Sequence, residues 1–224
     1  MITLSDIVKT MQQKGYVVYT EPYRLNVVGI RTGNTTSVKF DDYIAYFWYD
    51  NKGVLQGKVC LATTDPSVYF LNNPMVSGGT AILKSGQYVN AYEIGLHRGK
   101  YKALVQRGLV TVIRDNDRNE LLNFFAETQT GSNFGINIHK SSNSKSDKLI
   151  IDQDSAGCQV FQDPNDFANM MTAAEVSKAK YGNKFTYTLI DEQDTVKTRR
   201  NLALLGVGFV LVGLGGYLYY KKFR

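Results

Sequence analysis

Cys158 and His139 are the residues of this chain whose types and separation suit nucleophilic chemistry. A thiol attacks well only as a thiolate, and a neighbouring base or cation is what makes it one. The chain holds two histidines and two cysteines, so few such pairings exist. The sulfur sits at the end of the turn Ser155-Ala156-Gly157-Cys158. Small residues let a turn's backbone approach a ligand closely, which makes the amides of Gly157 and Cys158 the expected donors to an oxyanion. His139 is the expected base, and Ser155 is expected to hold the turn or a substrate by hydrogen bonding.

Several elements must position these groups. Phe134-Gly135-Ile136-Asn137-Ile138-His139 alternates apolar with small or polar residues, the pattern of a strand with His139 at its end. Residues 141–147, rich in Ser and Asn, read as a loop, and Leu149-Ile150-Ile151 begins a short apolar run before the turn. Further strands are expected at 25–31, 43–49, 55–62, 102–106, 109–113 and 184–190, separated by Gly, Asn and Asp turns. From Asp163 to about Lys180 the spacing of Phe167, Met170, Met171 and Ala174 predicts a helix with a core face, and Asp163-Pro164 suits its start. Strands this short and frequent suggest a sandwich or a barrel.

The pattern from His139 through Lys140 and residues 141–154 to Ser155-x-Gly157-Cys158 resembles the catalytic signature of the L,D-transpeptidases, which act on peptidoglycan stem peptides through a cysteine. Two positions depart from that signature. Ala156 stands where the family has a second histidine, and Val160 where it has Arg or Asn. Residues 79–83, 110–118 and 134–161 also look like viral members of the group, which are read as lysis enzymes. The resemblance implies a mainly β fold, a β-sandwich-like mixed sheet with flanking helices. It further implies Cys158 as nucleophile, with hydrolysis favoured over cross-linking by the viral likeness and the two departures.

Composition is that of a globular domain, with 43% hydrophobic residues in 224. Fifteen tyrosines and eleven phenylalanines suit strands with half-buried faces. The net charge of +6 favours anionic surfaces such as cell-wall polymers or lipid headgroups. No basic and aromatic motif of a nucleic-acid module stands out, so nucleic acid is not an expected partner. Two cysteines make no disulfide framework, and Cys60 in Val59-Cys60-Leu61-Ala62 reads as core strand. No His or Cys cluster has metal-ligand spacing, and no cofactor is expected.

From Leu202 to Leu218 the chain carries no charge, with Lys197, Arg199 and Arg200 before it and Tyr219, Tyr220, Lys221 and Lys222 after it. This predicts a single C-terminal transmembrane helix over 202–220. The start, Met1-Ile2-Thr3-Leu4-Ser5-Asp6, lacks a signal peptide and predicts an amphipathic helix capped at Ser5 or Asp6. The expected organisation is therefore an N-terminal helix (1–20), a catalytic domain (21–190), a charged linker (191–201) and the anchor. An anchored enzyme with no export signal places the protein in a virion membrane or a host inner membrane. The lipid bilayer, peptidoglycan stem peptides and viral capsid or membrane proteins are its expected partners.

Two other features invite a functional reading. His97 lies in Gly95-Leu96-His97-Arg98-Gly99-Lys100-Tyr101 and is expected in a solvated turn. Asp115-Asn116-Asp117-Arg118-Asn119 opens like a calcium loop, but Glu120 replaces the needed glycine, so a salt-bridged turn is expected. The sequence thus leads to a membrane-anchored cysteine peptidase acting on peptidoglycan stem peptides through a thioester. The alternatives are a structural virion membrane protein that keeps the fold, or a cross-linking L,D-transpeptidase.

Overall fold

The computed structural model describes residues 2–141 and 148–195. In chain order its elements are α1 (Leu4–Gln13), β1 (Asn26–Arg31), β2 (Asp42–Tyr49), β3 (Leu55–Thr63), α2 (Val68–Asn72), β4 (Thr80–Leu83), β5 (Gly86–His97), β6 (Tyr101–Gln106), β7 (Val110–Asp115), β8 (Thr128–Gly131), β9 (Ile138–Lys140), β10 (Gln159–Phe161), α3 (Pro164–Tyr181) and β11 (Phe185–Asp191).

Eight strands close into a barrel in the order β1-β11-β5-β6-β9-β10-β3-β2, and β4-β7-β8 form a separate antiparallel sheet beside it. The closed barrel corrects the expected sandwich. Closure depends on β1, which pairs in parallel with β11 and antiparallel with β2, leaving neither side open. The other parallel contact, β9 with β10, carries the site.

Alternation explains how the strands share their residues. In β2, Ile44 and Tyr46 join the barrel core while Ala45 and Phe47 face outward under α1. Both faces are covered, so the strand reads as a nearly continuous apolar run. The outer cover comes from Ile7, Val8 and Met11 of α1, packed on Val28, Ile30, Phe47 and Ile190. α1 begins two or three residues earlier than Ser5 or Asp6 would set it. Thr3 is the N-cap, its hydroxyl accepting from Asp6 N–H while the Asp6 carboxylate accepts from the Thr3 backbone.

Helix α3 follows its sequence signals closely. Asp163 caps it by accepting from Asn165 N–H at 2.8 Å, and Pro164 takes the first position, where no N–H is needed. Phe167, Met170, Met171 and Ala174 enter the barrel core. Burial of such side chains contributes about 1.5–3 kcal/mol for each large one.

The structure departs from the sequence expectations in two further places. β5, the longest strand, is not foreseen, because Gln87 and Asn90 interrupt its apolar pattern and Asn90 takes a left-handed φ of 54°. Asp115 makes no salt bridge among the described residues; it accepts from the Asp117 and Asn123 N–H groups and so closes its turn as a neutral cap would. The expected spanning helix, 202–220, lies outside the described residues. Among those described, no helix is long and apolar enough to cross a membrane. The membrane anchor, the bilayer as partner and the placement in a virion or host membrane gain no support from the described residues and are not carried further.

Candidate active site

The site is built on the outer face of the barrel where β9 and β10 run side by side. Ile138 faces Gln159, and His139 faces Val160. Ile138 and Phe161 belong to the barrel core, so alternation sends Asn137, His139, Cys158 and Val160 outward. Gln159 N–H donates to the Asn137 carbonyl at 2.8 Å, which fixes Cys158 beside Asn137. Cys158 and His139 are thus diagonal neighbours on adjacent strands, although among the described residues no hydrogen bond joins them. The strand that presents His139 is shorter than its sequence pattern, starting only at Ile138.

The turn before Cys158 is held from within. Ser155 is fully buried, and its hydroxyl donates to the Cys158 carbonyl at 2.8 Å while accepting from Gly157 N–H at 3.1 Å. Ser155 therefore holds the turn and does not face a ligand. The Gly157 amide is engaged by Ser155, which removes it as an oxyanion donor in this arrangement. Gly157 has a different necessity. Its φ is +117°, and a Cβ there would lie 2.1 Å from the Ala81 carbonyl oxygen. That close approach brings the turn against β4.

Cys158 is half-buried and its sulfur donates to the Gly135 carbonyl at 3.3 Å. Burial pushes the thiol above its ordinary value, while the Asn137 backbone N–H and the Arg98 charge pull it back. It rests as a thiol. Cys60 is also free and is buried in the barrel core, where loss of hydration pushes its thiol far up.

The structure brings both histidines together. The His97 ring stacks on that of His139 with centroids 4.1 Å apart and planes 28° from parallel. His97 is not in a solvated turn. It is the buried last residue of β5, and the tight turn itself is Arg98-Gly99, with φ of 49° and 70°. Lys100 N–H closes that turn onto the His97 carbonyl at 2.9 Å.

Their hydrogen bonds set different tautomers. Asn137 Oδ1 accepts from Gln106 N–H at 3.0 Å, so its Nδ2 is the atom that donates to His97 Nδ1 at 3.1 Å. The His97 proton then resides on Nε2. His139 Nδ1 lies 2.7 Å from the Lys140 carbonyl, which requires a proton on Nδ1 and leaves Nε2 as an acceptor. Burial, and then the His97 charge, bring His139 down to about 4. Burial and then Arg98 lower His97 as well. Both rings are neutral at pH 7, one offering a donor and the other an acceptor.

Cys158 opens on a cleft of about 530 Å³ between the barrel wall and the small sheet. His97, Arg98, Asn137 and Ala156 line one side; Thr80, Ala81, Arg114 and Phe134 line the other. His139 is not in the lining and stands behind His97. The cleft was missed because its far wall comes from β4, β7 and β8, remote in sequence from Cys158. Among the described residues no group of three His, Cys, Asp or Glu could hold a metal ion.

Comparison with known protein families, curated proteins and solved structures gives no match. The likeness to L,D-transpeptidases is corrected accordingly. No family model ties the chain to that group, and a closed barrel stands where a mixed sandwich was implied. Peptidoglycan stem peptides as partner, the cross-linking and lytic roles and the virion assignment rested on that likeness, and they fall with it.

Proposed function

We propose that the barrel and its flanking sheet form a cysteine-dependent amide hydrolase, with Cys158 as nucleophile. The observation that carries this reading is a cleft-wall thiol accompanied by two neutral imidazoles of complementary tautomer. The reading involves neither a membrane tether nor a wall polymer.

In the proposed step the Cys158 proton passes to His139 Nε2 as sulfur adds to the amide carbonyl carbon. The carbonyl π electrons move to oxygen, which His97 Nε2–H stabilises as donor. Collapse expels the amine, which takes the proton back from His139, and water as second nucleophile completes hydrolysis. Proton transfer of this kind contributes about 10²–10⁴-fold, and a single oxyanion donor about 10²–10³-fold.

The test is a fluorogenic peptide-amide library scanned from about pH 5 to 10, paired with mass spectrometry after exposure to a peptidyl chloromethyl ketone. Turnover lost in Cys158→Ala, with the adduct on Cys158 in wild type, supports the reading. Turnover that survives Cys158→Ala overturns it, as does folded wild-type protein that neither turns over nor forms the adduct.

A further inference from the structure

Arg114 is built into the cleft and, among the described residues, has no acidic partner. It projects from β7, its Nε donates to Gln129 Oε1 at 3.0 Å, and its Nη1 donates to the Gly79 carbonyl at 3.2 Å. The guanidinium lies over the Phe134 ring, 5.0 Å from the centroid. These contacts fix the plane of the group through Nε on one side and Nη1 on the other. The Nη1–Nη2 edge keeps free donors, and two parallel N–H bonds from such an edge match a carboxylate.

The electrostatics point the same way. Partial burial lowers the Arg114 pKa, and among the described residues no anion offsets the lost hydration. Among the described residues no Asp or Glu lines the cleft, and neither Arg114 nor Arg98 forms a salt bridge. Arg98 stands on the Cys158 side, close enough to draw down its thiol. The two cations therefore face one cavity from opposite walls.

We infer that the cleft selects substrates carrying a carboxylate, which Arg114 holds across its Nη1–Nη2 edge while the reacting carbonyl lies at Cys158. The inference rests on the proposed hydrolase for its reacting carbonyl, and the carboxylate site can be measured without turnover. Arg114 is a specificity residue here, separate from the groups that move protons. The same fork also accepts a phosphate, so inorganic phosphate serves as the competing ligand in the test.

The experiment measures binding of succinate, its uncharged diamide and inorganic phosphate to full-length Cys158→Ser protein by calorimetry. Protection of wild-type Cys158 from iodoacetamide by the same compounds gives a second readout. Succinate is expected to bind and protect, and the diamide to do neither. Arg114→Gln should weaken succinate by at least about tenfold, and Arg114→Lys, which keeps the charge but loses the fork, by a lesser factor. Lys102→Gln, a charge loss outside the cleft, should leave binding unchanged. Unaltered alkylation of ligand-free Arg114→Lys confirms its fold. Succinate binding that ignores Arg114, equals that of the diamide or is weaker than phosphate overturns the inference. Arg114-dependent binding with neither amide turnover nor the Cys158 adduct would sink the hydrolase and leave the carboxylate site standing; turnover indifferent to Arg114 would do the reverse.

Discussion

The imidazole of His97 lies on that of His139 at 4.1 Å between centroids, and the two rings are hydrogen-bonded through opposite tautomers. A proton added to one ring would place a charge against the other in a poorly hydrated position, so the pair holds both rings neutral. Four expectations follow from this pair and from the turn it faces.

The first concerns pH and stability. His139 has a folded value of about 4 against an ordinary 6.5, so the unfolded chain binds the proton more readily between those limits. Its contribution is fully present above about pH 6.5 and is lost as pH falls toward 4, amounting to at most about 3 kcal/mol. Asp65 acts in the opposite sense. Burial raises it to about 7, against the pull of Arg31 Nε 2.8 Å away, so its contribution declines as pH rises from about 4 to 7. Urea unfolding of wild type against His139→Gln isolates the histidine. The wild-type advantage should be larger at pH 7 than at pH 4.5, and a difference independent of pH would refute the assignment.

Cys158 reactivity supplies a second check. Because burial raises its thiol, the rate of iodoacetamide alkylation should titrate above the ordinary thiol value of 9.0. Removing the cation in Arg98→Gln should move that midpoint higher still. Cys60, 2% exposed, should remain unmodified until the protein unfolds. Peptide mapping by mass spectrometry reads both sites, and a Cys158 midpoint below 9.0 would contradict the description.

Gly157 should tolerate no side chain. Its positive φ alone costs a larger residue about 1–3 kcal/mol, and the Ala81 carbonyl occupies the space a Cβ would need. Gly157→Ala is expected to lower the thermal midpoint and to change Cys158 alkylation, since the turn must move off β4. An unchanged midpoint would show that the turn is not held there.

The barrel interior is tied to the same turn through Tyr187. Its hydroxyl donates to Gln159 Oε1 at 2.7 Å, and Gln159 Nε2 donates to the Gly157 and Thr64 carbonyls, both at 3.1 Å. Gly29 makes room for that hydroxyl, since a Cβ there would lie 1.9 Å from it. Tyr187→Phe, which leaves Gln159 Oε1 unpaired, should cost about 1–3 kcal/mol. Gly29→Ala should cost more alone than in the Tyr187→Phe background, as measured by a double-mutant cycle in denaturant. Simple additivity would argue that the two do not meet.

Much of the local structure was legible along the chain. Strands β1, β2, β3, β6, β7 and β11 show apolar runs or alternation, and Asp163-Pro164 with its apolar spacing marks α3, because these signals depend on neighbours a few residues apart. The same is true of the turn from Ser155 to Cys158, whose small residues point to close backbone packing. The composition also placed Cys60 in a core strand.

Tertiary structure decided the rest. Whether short strands make a sandwich or a barrel depends on β1 meeting β11, a pairing between distant segments that leaves no local trace. His97 looked like part of a solvated turn because its neighbours Arg98, Gly99 and Lys100 are polar. Only the β5–β6 hairpin folding beside β9 buries its ring against His139. The sequence by itself singled out the Cys158 thiol, the turn that carries it and His139. The partner imidazole, the tautomers and the arginine-lined cleft were set by hydrogen bonds and packing between segments that meet only in the folded chain.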